Sequence, residues 1–348
     1  MTTKDSADGG EAVVSGLTDR SGVAKILVGF LIAALLVYLL GVAAGWERTV
    51  NALQQAEYEW VAIACASSVV GLLAWGKAWQ VVLRVLGIEV PYRRLGVTYL
   101  AATFANYVTP MGQAGGEPFT AYVLSKDTEA SYEDSLASVV TADLLNLLPF
   151  FNFAAIGLVY LLFRTSLTED VETLAQGLAA MAFGVPLLVY VGWNHRDAVE
   201  RIILRAVRPV TRRTDRVSAE GVRRRIDEFY ESLERITGEP RSLLYALVFS
   251  YVGWVFFAMP LYFSGKALGL PITLVLVLFV VPASTLAGLT PLPGGLAGVE
   301  AALVALLVAL ATVPKGPAFA ATILYRFSSY WFVLAVGGFA TFWVIARS

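Results

Sequence analysis

The sequence contains very few of the residues from which metal and redox sites are built. Its 348 residues include one cysteine, Cys65, and one histidine, His195. A single cysteine excludes an intramolecular disulfide framework and a cysteine-rich metal site, so we expect Cys65 to pack within an apolar helix. We expect His195, which begins a basic loop, to lie at an interface or in solvent. The sequence therefore predicts no metal site and no cofactor.

Charged residues are scarce as well. They make up 15% of the chain, against 57% hydrophobic residues, and the mean hydropathy is +0.67. Soluble domains contain about 25% charged residues, so this chain lacks the charge needed to cover a soluble surface. We expect an all-α polytopic membrane protein.

Long apolar runs separate the few charged stretches. Residues 1–22 are polar and small, which predicts a disordered N-terminal tail. The apolar run that follows has the length of a membrane span, about 20 residues, and the polar leader before it argues against a cleaved signal peptide. Further apolar runs lie at 60–86, 95–124, 134–163, 174–193, 243–263, 272–313 and 318–345.

The basic residues indicate the orientation. Loop 195–241 contains twelve arginines, and basic loops stay on the cytoplasmic side of a membrane. Within it, VRRRIDEFYESLERI has apolar residues at helical spacing, which predicts an amphipathic helix on the membrane surface. Acidic residues are interleaved with the arginines, so we do not expect nucleic acid to bind. Both termini are expected to be cytoplasmic, in a multi-pass protein of the cell membrane.

Two apolar runs are interrupted by helix-breaking residues. The first contains TPMGQAGGEP (109–118) and the second TPLPGGLAGVE (290–300), and both combine proline with a glycine pair and a glutamate. If run 95–124 crossed the membrane once, the arginine-rich loop would lie outside. We therefore expect runs 95–124 and 272–313 to be re-entrant helical hairpins, with the two motifs at their tips.

The spacing of charged residues relates the two halves. Glu117 precedes Asp143 by 26 residues, and Glu300 precedes Arg326 by 26 residues. Because the two hairpins enter from opposite faces, the sequence predicts an inverted repeat, with one half at 23–164 and the other at 165–348. The predicted fold has about six spanning helices plus two re-entrant hairpins, an architecture typical of secondary transporters.

The candidate binding or coupling residues lie at the two tips and on the helices that follow them. Irregular backbone and charged side chains inside a membrane need protein partners or a wet cavity, which favours a functional site. The alternatives are tight packing of the hairpins, acidic residues that complement a helix N-terminus, and a structural ion pair. The candidates are Asn106, Thr109, Pro110, Gly112, Gly115, Gly116, Glu117, Asp143, Asn146, Thr290, Pro291, Pro293, Gly294, Gly295, Glu300, Tyr325, Arg326 and Tyr330.

The stretches NYVTPMGQAGGEPFTAYVL, TPLPGGLAGVEAAL and YRFSSYW resemble the family that forms the membrane region of lysylphosphatidylglycerol synthases, also called flippase-like. The resemblance covers about 23–345. It implies a role in moving an amphipathic lipid or a polyprenyl-linked sugar between leaflets. The synthases add a cytoplasmic aminoacyl-transfer domain that we do not find in this chain, so we expect no synthase activity.

The chain departs from the family pattern near the first tip. Thr120 stands where the family often has arginine, and Asp143 and Asn146 stand where it has an Arg-x-x-Asp pair. If the three candidate acids and Arg326 are all ionised, their charges sum to −2, which would repel a phosphate. This predicts a protonated carboxylate, a cationic or zwitterionic ligand, or a bound cation.

The function expected from the sequence is translocation of a membrane lipid, with the headgroup held between two facing tips and with a proton or cation as candidate coupling ion. The alternative is a secondary transporter of a small soluble substrate. Two further alternatives come from other functional classes: a membrane-embedded transferase and a structural membrane protein. The sequence shows no nucleotide-binding loop and no Ser/His/Asp arrangement, so we do not expect an enzyme. It does not specify an oligomeric state.

Overall fold

The computed structural model describes residues 20–108, 120–121, 124–125, 131–162, 176, 183–184, 187–188, 190–211, 219–288, 290 and 292–345. Every regular element in these residues is a helix. The helices are α1 (Arg20–Ala44), α2 (Trp46–Gln54), α3 (Tyr58–Val85), α4 (Tyr92–Val108), α5 (Tyr132–Leu162), α6 (Arg196–Thr211), α7 (Ala219–Thr237), α8 (Pro240–Ala267), α9 (Leu274–Leu286), α10 (Gly298–Ala311), α11 (Lys315–Arg326) and α12 (Phe332–Ile345).

Six segments of the described chain are long and apolar enough to cross a membrane, which confirms a polytopic all-α membrane protein. Five of them fall on predicted spans: Ala24–Ala44, Tyr58–Val85, Tyr132–Gly157, Pro240–Ala267 and Lys315–Trp343. The sixth, Pro293–Ala311, lies within the predicted second hairpin. The predicted span 174–193 falls mostly outside the described residues, as do residues 1–19 of the predicted tail.

Helices α3 and α8 pack closely along their length. Small residues permit this approach, since a Cβ on Gly71 would lie 3.2 Å from the carbonyl oxygen of Gly253. The Ser67 hydroxyl also donates to the Phe256 carbonyl at 2.7 Å. Close backbone contact through small residues replaces the hydrophobic effect between helices in lipid, so these small residues hold α3 and α8 together.

Two further packed pairs link the halves of the chain. Helix α4 packs against α12, and α9 packs against α5. In the predicted repeat, α4 and α9 are the first arms of the two hairpins, and α5 and α12 belong to the helices that follow them. Each first arm thus packs against the long helix of the other half, as a twofold relation would require. The inverted repeat itself stays a prediction.

The second hairpin region consists of two short helices. Helices α9 and α10 have 13 and 14 residues, or about 20 Å each at 1.5 Å per residue, which is less than the roughly 30 Å of a hydrocarbon core. They pack against each other, and Pro293–Gly295 form a short 3-10 turn between them. The face from which this pair enters the membrane remains a prediction. The tip of the first hairpin lies outside the described residues.

The arginine-rich loop contains the predicted amphipathic segment as helix α7. Its position is fixed against the start of α5, where the Asp134 carboxylate accepts hydrogen bonds from Ser232 and Arg235, both at 2.6 Å. Ile236 is fully buried against the end of α3. The basic loop is therefore bound to the membrane bundle at the ends of two helices.

We predict that a methyl group at Gly157 destabilises the fold. A Cβ there would lie 2.9 Å from the Phe279 Cα and 3.0 Å from its nitrogen, so α5 and α9 must separate, at a cost of about 1–3 kcal/mol. The matched control is Gly96→Ala, because the nearest atom to a Cβ at Gly96 is 4.0 Å away. In detergent, Gly157→Ala should melt below the natural protein and Gly96→Ala should not. Equal melting temperatures for the two variants would contradict the described α5–α9 packing.

Candidate functional site

The segment between α9 and α10 has an unusual backbone. Gly294, Gly295 and Ala297 have φ values of 57°, 64° and 68°, in the left-handed region. Two of these positions are glycine, which accepts this conformation without strain; at Ala297 it costs energy and persists only where the surroundings impose it. The PGG motif thus turns the chain sharply into α10.

The two glycines also permit close packing. A Cβ on Gly294 would meet the Tyr330 ring at 2.0 Å, and a Cβ on Gly295 would lie 2.5 Å from the Gly288 Cα. The Gly295 N–H donates to the Leu292 carbonyl at 3.2 Å. At this tip the glycine pair therefore serves packing, one of the alternatives left open by the sequence, and the Gly295 N–H already has a partner.

A buried ion pair forms directly beside this turn. Arg326 Nε donates to Glu300 Oε1 at 2.7 Å, and Arg326 Nη2 donates to the Gly294 carbonyl at 3.0 Å. Glu300 and Arg326 are 4% and 8% exposed. Glu300 Oε2 is buried without a hydrogen-bond partner. The pair is therefore electrically neutral but incompletely satisfied, and one carboxylate oxygen faces no donor among the described residues.

Aromatic rings cover the arginine. The Arg326 guanidinium lies 4.4 Å from the Tyr330 ring centroid, a cation–π contact. On its other face Tyr330 stacks with Tyr107 of α4, with the centroids 5.0 Å apart. The Tyr330 hydroxyl donates to the Tyr107 carbonyl at 3.1 Å, and the Tyr107 hydroxyl donates to the Ser329 carbonyl at 3.4 Å. The end of α4 is thereby joined to the arginine site.

A π-helical turn, Phe327–Trp331, connects α11 to α12. Such turns are rare and often occur at functional sites. Here the turn follows Arg326 directly and contains Tyr330. It positions both side chains of the cation–π contact.

The ion pair lies well inside an apolar span of the chain by helix length. Arg326 is 11 residues after the first residue of α11, Lys315, which corresponds to about 16 Å along the axis, or half of a hydrocarbon core. Glu300 lies in the first turn of α10, whose N-terminus has no side-chain cap. The first backbone N–H groups of a helix lack intrahelical partners. These N–H groups add partial positive charge at the start of α10 beside the neutral ion pair.

A second polar centre lies in the first half of the chain. Asp143, Asn146 and Asn106 line a cavity of about 40 Å³ between α3, α4 and α5. This volume corresponds to about three water molecules at roughly 10–15 Å³ each. Five further residues with polar groups also line it: Trp75, Trp79, Tyr99, Thr103 and Thr120. The cavity can therefore hold water or an ion, whereas a lipid headgroup is too large for it.

The candidate residues thus form two groups. The second-half group joins Gly294, Glu300, Arg326 and Tyr330, and the first-half group surrounds Asp143. The structure pairs Arg326 with Glu300 of its own half of the chain.

The other candidates have different positions. Thr290 has a buried hydroxyl oxygen without a partner, Pro293 packs against Gly29 of α1, and Tyr325 is buried in the core. Thr109, Pro110, Gly112, Gly115, Gly116, Glu117 and Pro291 lie outside the described residues.

Several residues of these centres escaped the sequence interpretation. Tyr107 and Ser329 belong to the arginine site, and Trp75 and Tyr99 to the cavity. Tyr107 directly follows the candidate Asn106, so an aromatic next to a predicted site residue was an available signal. Trp75 and Tyr99 lie on faces of α3 and α4 that have no sequence motif to mark them as part of a site.

An open groove of about 510 Å³ lies at the C-terminal end of α3, away from the ion pair. Lys77 and Arg84 line it together with Glu239, Tyr245 and Phe249. The groove combines two cations with aromatic and aliphatic walls near the arginine-rich loop. Its composition resembles that of basic pockets between helices that bind lipid headgroups on the cytoplasmic side.

We predict that Arg326→Met is strongly destabilising, because it leaves the Glu300 carboxylate buried without its partner. Breaking one side of a buried pair costs about 3–5 kcal/mol, whereas replacing both partners by apolar residues is often neutral. Thermal melting in detergent should therefore show a large loss for Arg326→Met and recovery in the double variant Glu300→Leu/Arg326→Met. The control is Arg196→Met, whose side chain is 65% exposed and lies 3.6 Å from Glu234. If Arg326→Met melts like Arg196→Met, the buried pair is not formed as described.

Comparison with known proteins places the chain in a family. The model of the lysylphosphatidylglycerol synthase TM region matches residues 26–337. A "UPF0104 membrane protein" of Methanothermobacter thermautotrophicus is 27% identical over 91% of this chain and 94% of its own length. Similar proteins of Pyrococcus horikoshii and Methanocaldococcus jannaschii are 26% and 20% identical over 88% and 89% of this chain, covering 94% and 91% of their own lengths. The chain, with its buried charges between broken helices, therefore belongs to the family of the lysylphosphatidylglycerol synthase transmembrane region.

Proposed function

We propose that this protein moves lipids between the leaflets of its membrane, and that the Glu300–Arg326 pair binds the headgroup during passage. The observation that carries the proposal is the position of this pair, buried beside the break between α9 and α10 and about 16 Å along the apolar span that begins at Lys315. Charged residues inside a membrane are costly, and they mark substrate or ion pathways. Discontinuous helices that meet near the bilayer midplane are the usual binding sites of secondary transporters.

The chemistry of the pair suits a zwitterionic or phosphate-containing headgroup. Arginine has five N–H donors; Glu300 and Gly294 accept from two of them, and no other described residue accepts from the rest. The remaining donors and the uncapped N-terminus of α10 suit phosphate oxygens. The unpaired Glu300 Oε2 suits an ammonium group. A headgroup carrying both charges would satisfy the two partners at once.

The geometry favours a lipid over a soluble substrate. The cavity beside Asp143, of about 40 Å³, is far below the roughly 300–1,000 Å³ of ordinary ligand pockets. For a lipid substrate, the protein needs to enclose only the headgroup, since the acyl chains stay in the bilayer. Membership of a family named for lysylphosphatidylglycerol synthases supports a lipid-related role.

The direct experiment is leaflet exchange of labelled lipids in liposomes that contain the purified protein. The set should include a zwitterionic phospholipid, an anionic phospholipid and a polyprenyl phosphate. We expect exchange of at least one class, and a loss of tenfold or more in Glu300→Gln, because the neutral amide has no charge to pair with Arg326 or with an ammonium group. Glu117→Gln tests the predicted first tip in the same assay.

The matched control is Glu59→Gln, which removes an exposed carboxylate from the first turn of α3 and should leave exchange unchanged. Absence of exchange for every lipid, with protein that elutes as a single folded species, would contradict the proposal and favour the small-solute transporter. Full exchange by Glu300→Gln would show that the pair does not bind the headgroup.

A further inference from the structure

We propose that the open groove at the C-terminal end of α3 holds the headgroup of an anionic phospholipid, with Lys77 and Arg84 as the cations that bind it. This lipid is a lasting partner of the bundle and not the transported substrate, so the site goes beyond the function proposed above. The groove lies where α3 ends and α8 begins, beside the arginine-rich loop.

One face of each helix forms a wall of the groove. Lys77, Val81 and Arg84 follow one another on α3 at spacings of four and three residues, which places them on one helix face. Tyr245 and Phe249, four residues apart, share a face of α8 in the same way. The two cations therefore lie on one wall and two aromatic rings on the other, which suits a ligand with an anionic group and an apolar body.

The charges of the two cations are not neutralised. Lys77 Nζ donates to Gln80 Oε1 at 2.6 Å and lies 5.2 Å from the centroid of the Tyr92 ring, and both partners are neutral. Gln80 is buried, and its amide donates to the Val90 carbonyl at 2.8 Å, so the ammonium group is held in place without a counterion. Arg84 is exposed and forms no ion pair within the described part of the chain.

Glu239 is the one acid among the residues that line the groove. It is exposed at the start of α8, its side chain does not cap the helix, and no ion pair of the described residues joins it to Lys77 or Arg84. Every residue within ten positions of the lining residues along the chain is described. The lining side chains thus have one net positive charge, which complements the single negative charge of a phosphodiester headgroup.

The groove is open toward lipid. Tyr245, which lines it, begins a stripe of exposed residues on α8 that continues through Val248 and Val252, at spacings of three and four residues. An exposed apolar stripe on a spanning helix is the surface against which acyl chains pack. A phospholipid can place its headgroup between the cations and its chains along this stripe, whereas a free phosphate ion would leave the apolar walls without a partner.

The depth of the two cations fits the edge of a bilayer. Helix α3 has 28 residues, or about 42 Å, and exceeds a hydrocarbon core of about 30 Å by roughly 6 Å at each end when it is centred. Arg84 is the last residue but one of α3, and Lys77 lies eight residues before its end, about 12 Å deeper along the axis than the helix terminus. Arg84 is then at headgroup level, and the long Lys77 side chain reaches this level from below.

The test is the melting temperature of the delipidated protein in detergent with added phosphatidylglycerol, phosphatidylcholine or sodium phosphate. A ligand that binds the folded state stabilises it by mass action, so phosphatidylglycerol at 100 times its dissociation constant should raise the melting temperature by about 4 °C. The other two additives should not. Native mass spectrometry should show one phosphatidylglycerol retained per chain. Arg84→Gln and Lys77→Gln should each weaken binding about fivefold, the contribution of one cation near an anionic headgroup.

Two further variants separate a built site from general attraction to the basic loop. Glu239→Gln removes the acid of the groove and should tighten binding twofold or more, which a purely structural role would not produce. Arg196→Gln removes an arginine of the basic loop whose side chain is 65% exposed and should leave binding unchanged.

Three results would overturn the proposal: an equal shift with phosphatidylcholine, the full shift with sodium phosphate alone, or a loss in Arg196→Gln as large as in Arg84→Gln. The first would indicate unspecific lipid binding, the second a site for a soluble anion, and the third diffuse attraction to the loop. None of these measurements involves exchange between leaflets, so the groove and the transport function can fail independently.

Discussion

Any irregular backbone within a membrane must be enclosed by protein or water, because each unpaired peptide group in hydrocarbon costs several kcal/mol. The break between α9 and α10 imposes this requirement on the whole second half. Tyr330 packs against the turn, Arg326 donates to the Gly294 carbonyl, and α1 packs against Pro293.

The ion pair at this break is a poor means of gaining stability. Removing two charges from water costs more than their attraction usually returns, and apolar replacements of buried pairs are often as stable. Glu300 also keeps one oxygen unpaired, which a purely structural pair would satisfy. The proposed function explains the arrangement by a headgroup that reaches the pair from the membrane. The first half also contains polar atoms without partners, around its cavity.

The sequence predicted the class of fold and several site residues because hydropathy and helix-breaking residues act locally. Apolar runs gave five of the six candidate spans, and the PGG motif located the break. The spacing of 26 residues singled out Glu300 and Arg326 together. It did not reveal that they pair, although α10 and α11 form two antiparallel helices of 14 and 12 residues that return the chain to its starting depth.

Other features depend on contacts between distant segments and have no local signal. Tyr107 and Tyr330 stack although 223 residues separate them, because α4 packs against the helix that contains the π turn. The cavity around Asp143 likewise arises only when α3, α4 and α5 come together. Periodicity within one segment cannot specify which faces of other segments it will meet.

The central claim is that the buried pair exists for transport and not for stability. The most direct measurement is lipid exchange by the double variant Glu300→Leu/Arg326→Met, in liposomes that contain folded protein in the same amount as the natural protein. The account predicts a folded variant whose exchange is no faster than that of empty liposomes. Exchange at the natural rate would contradict it and would leave the pair with a structural role alone.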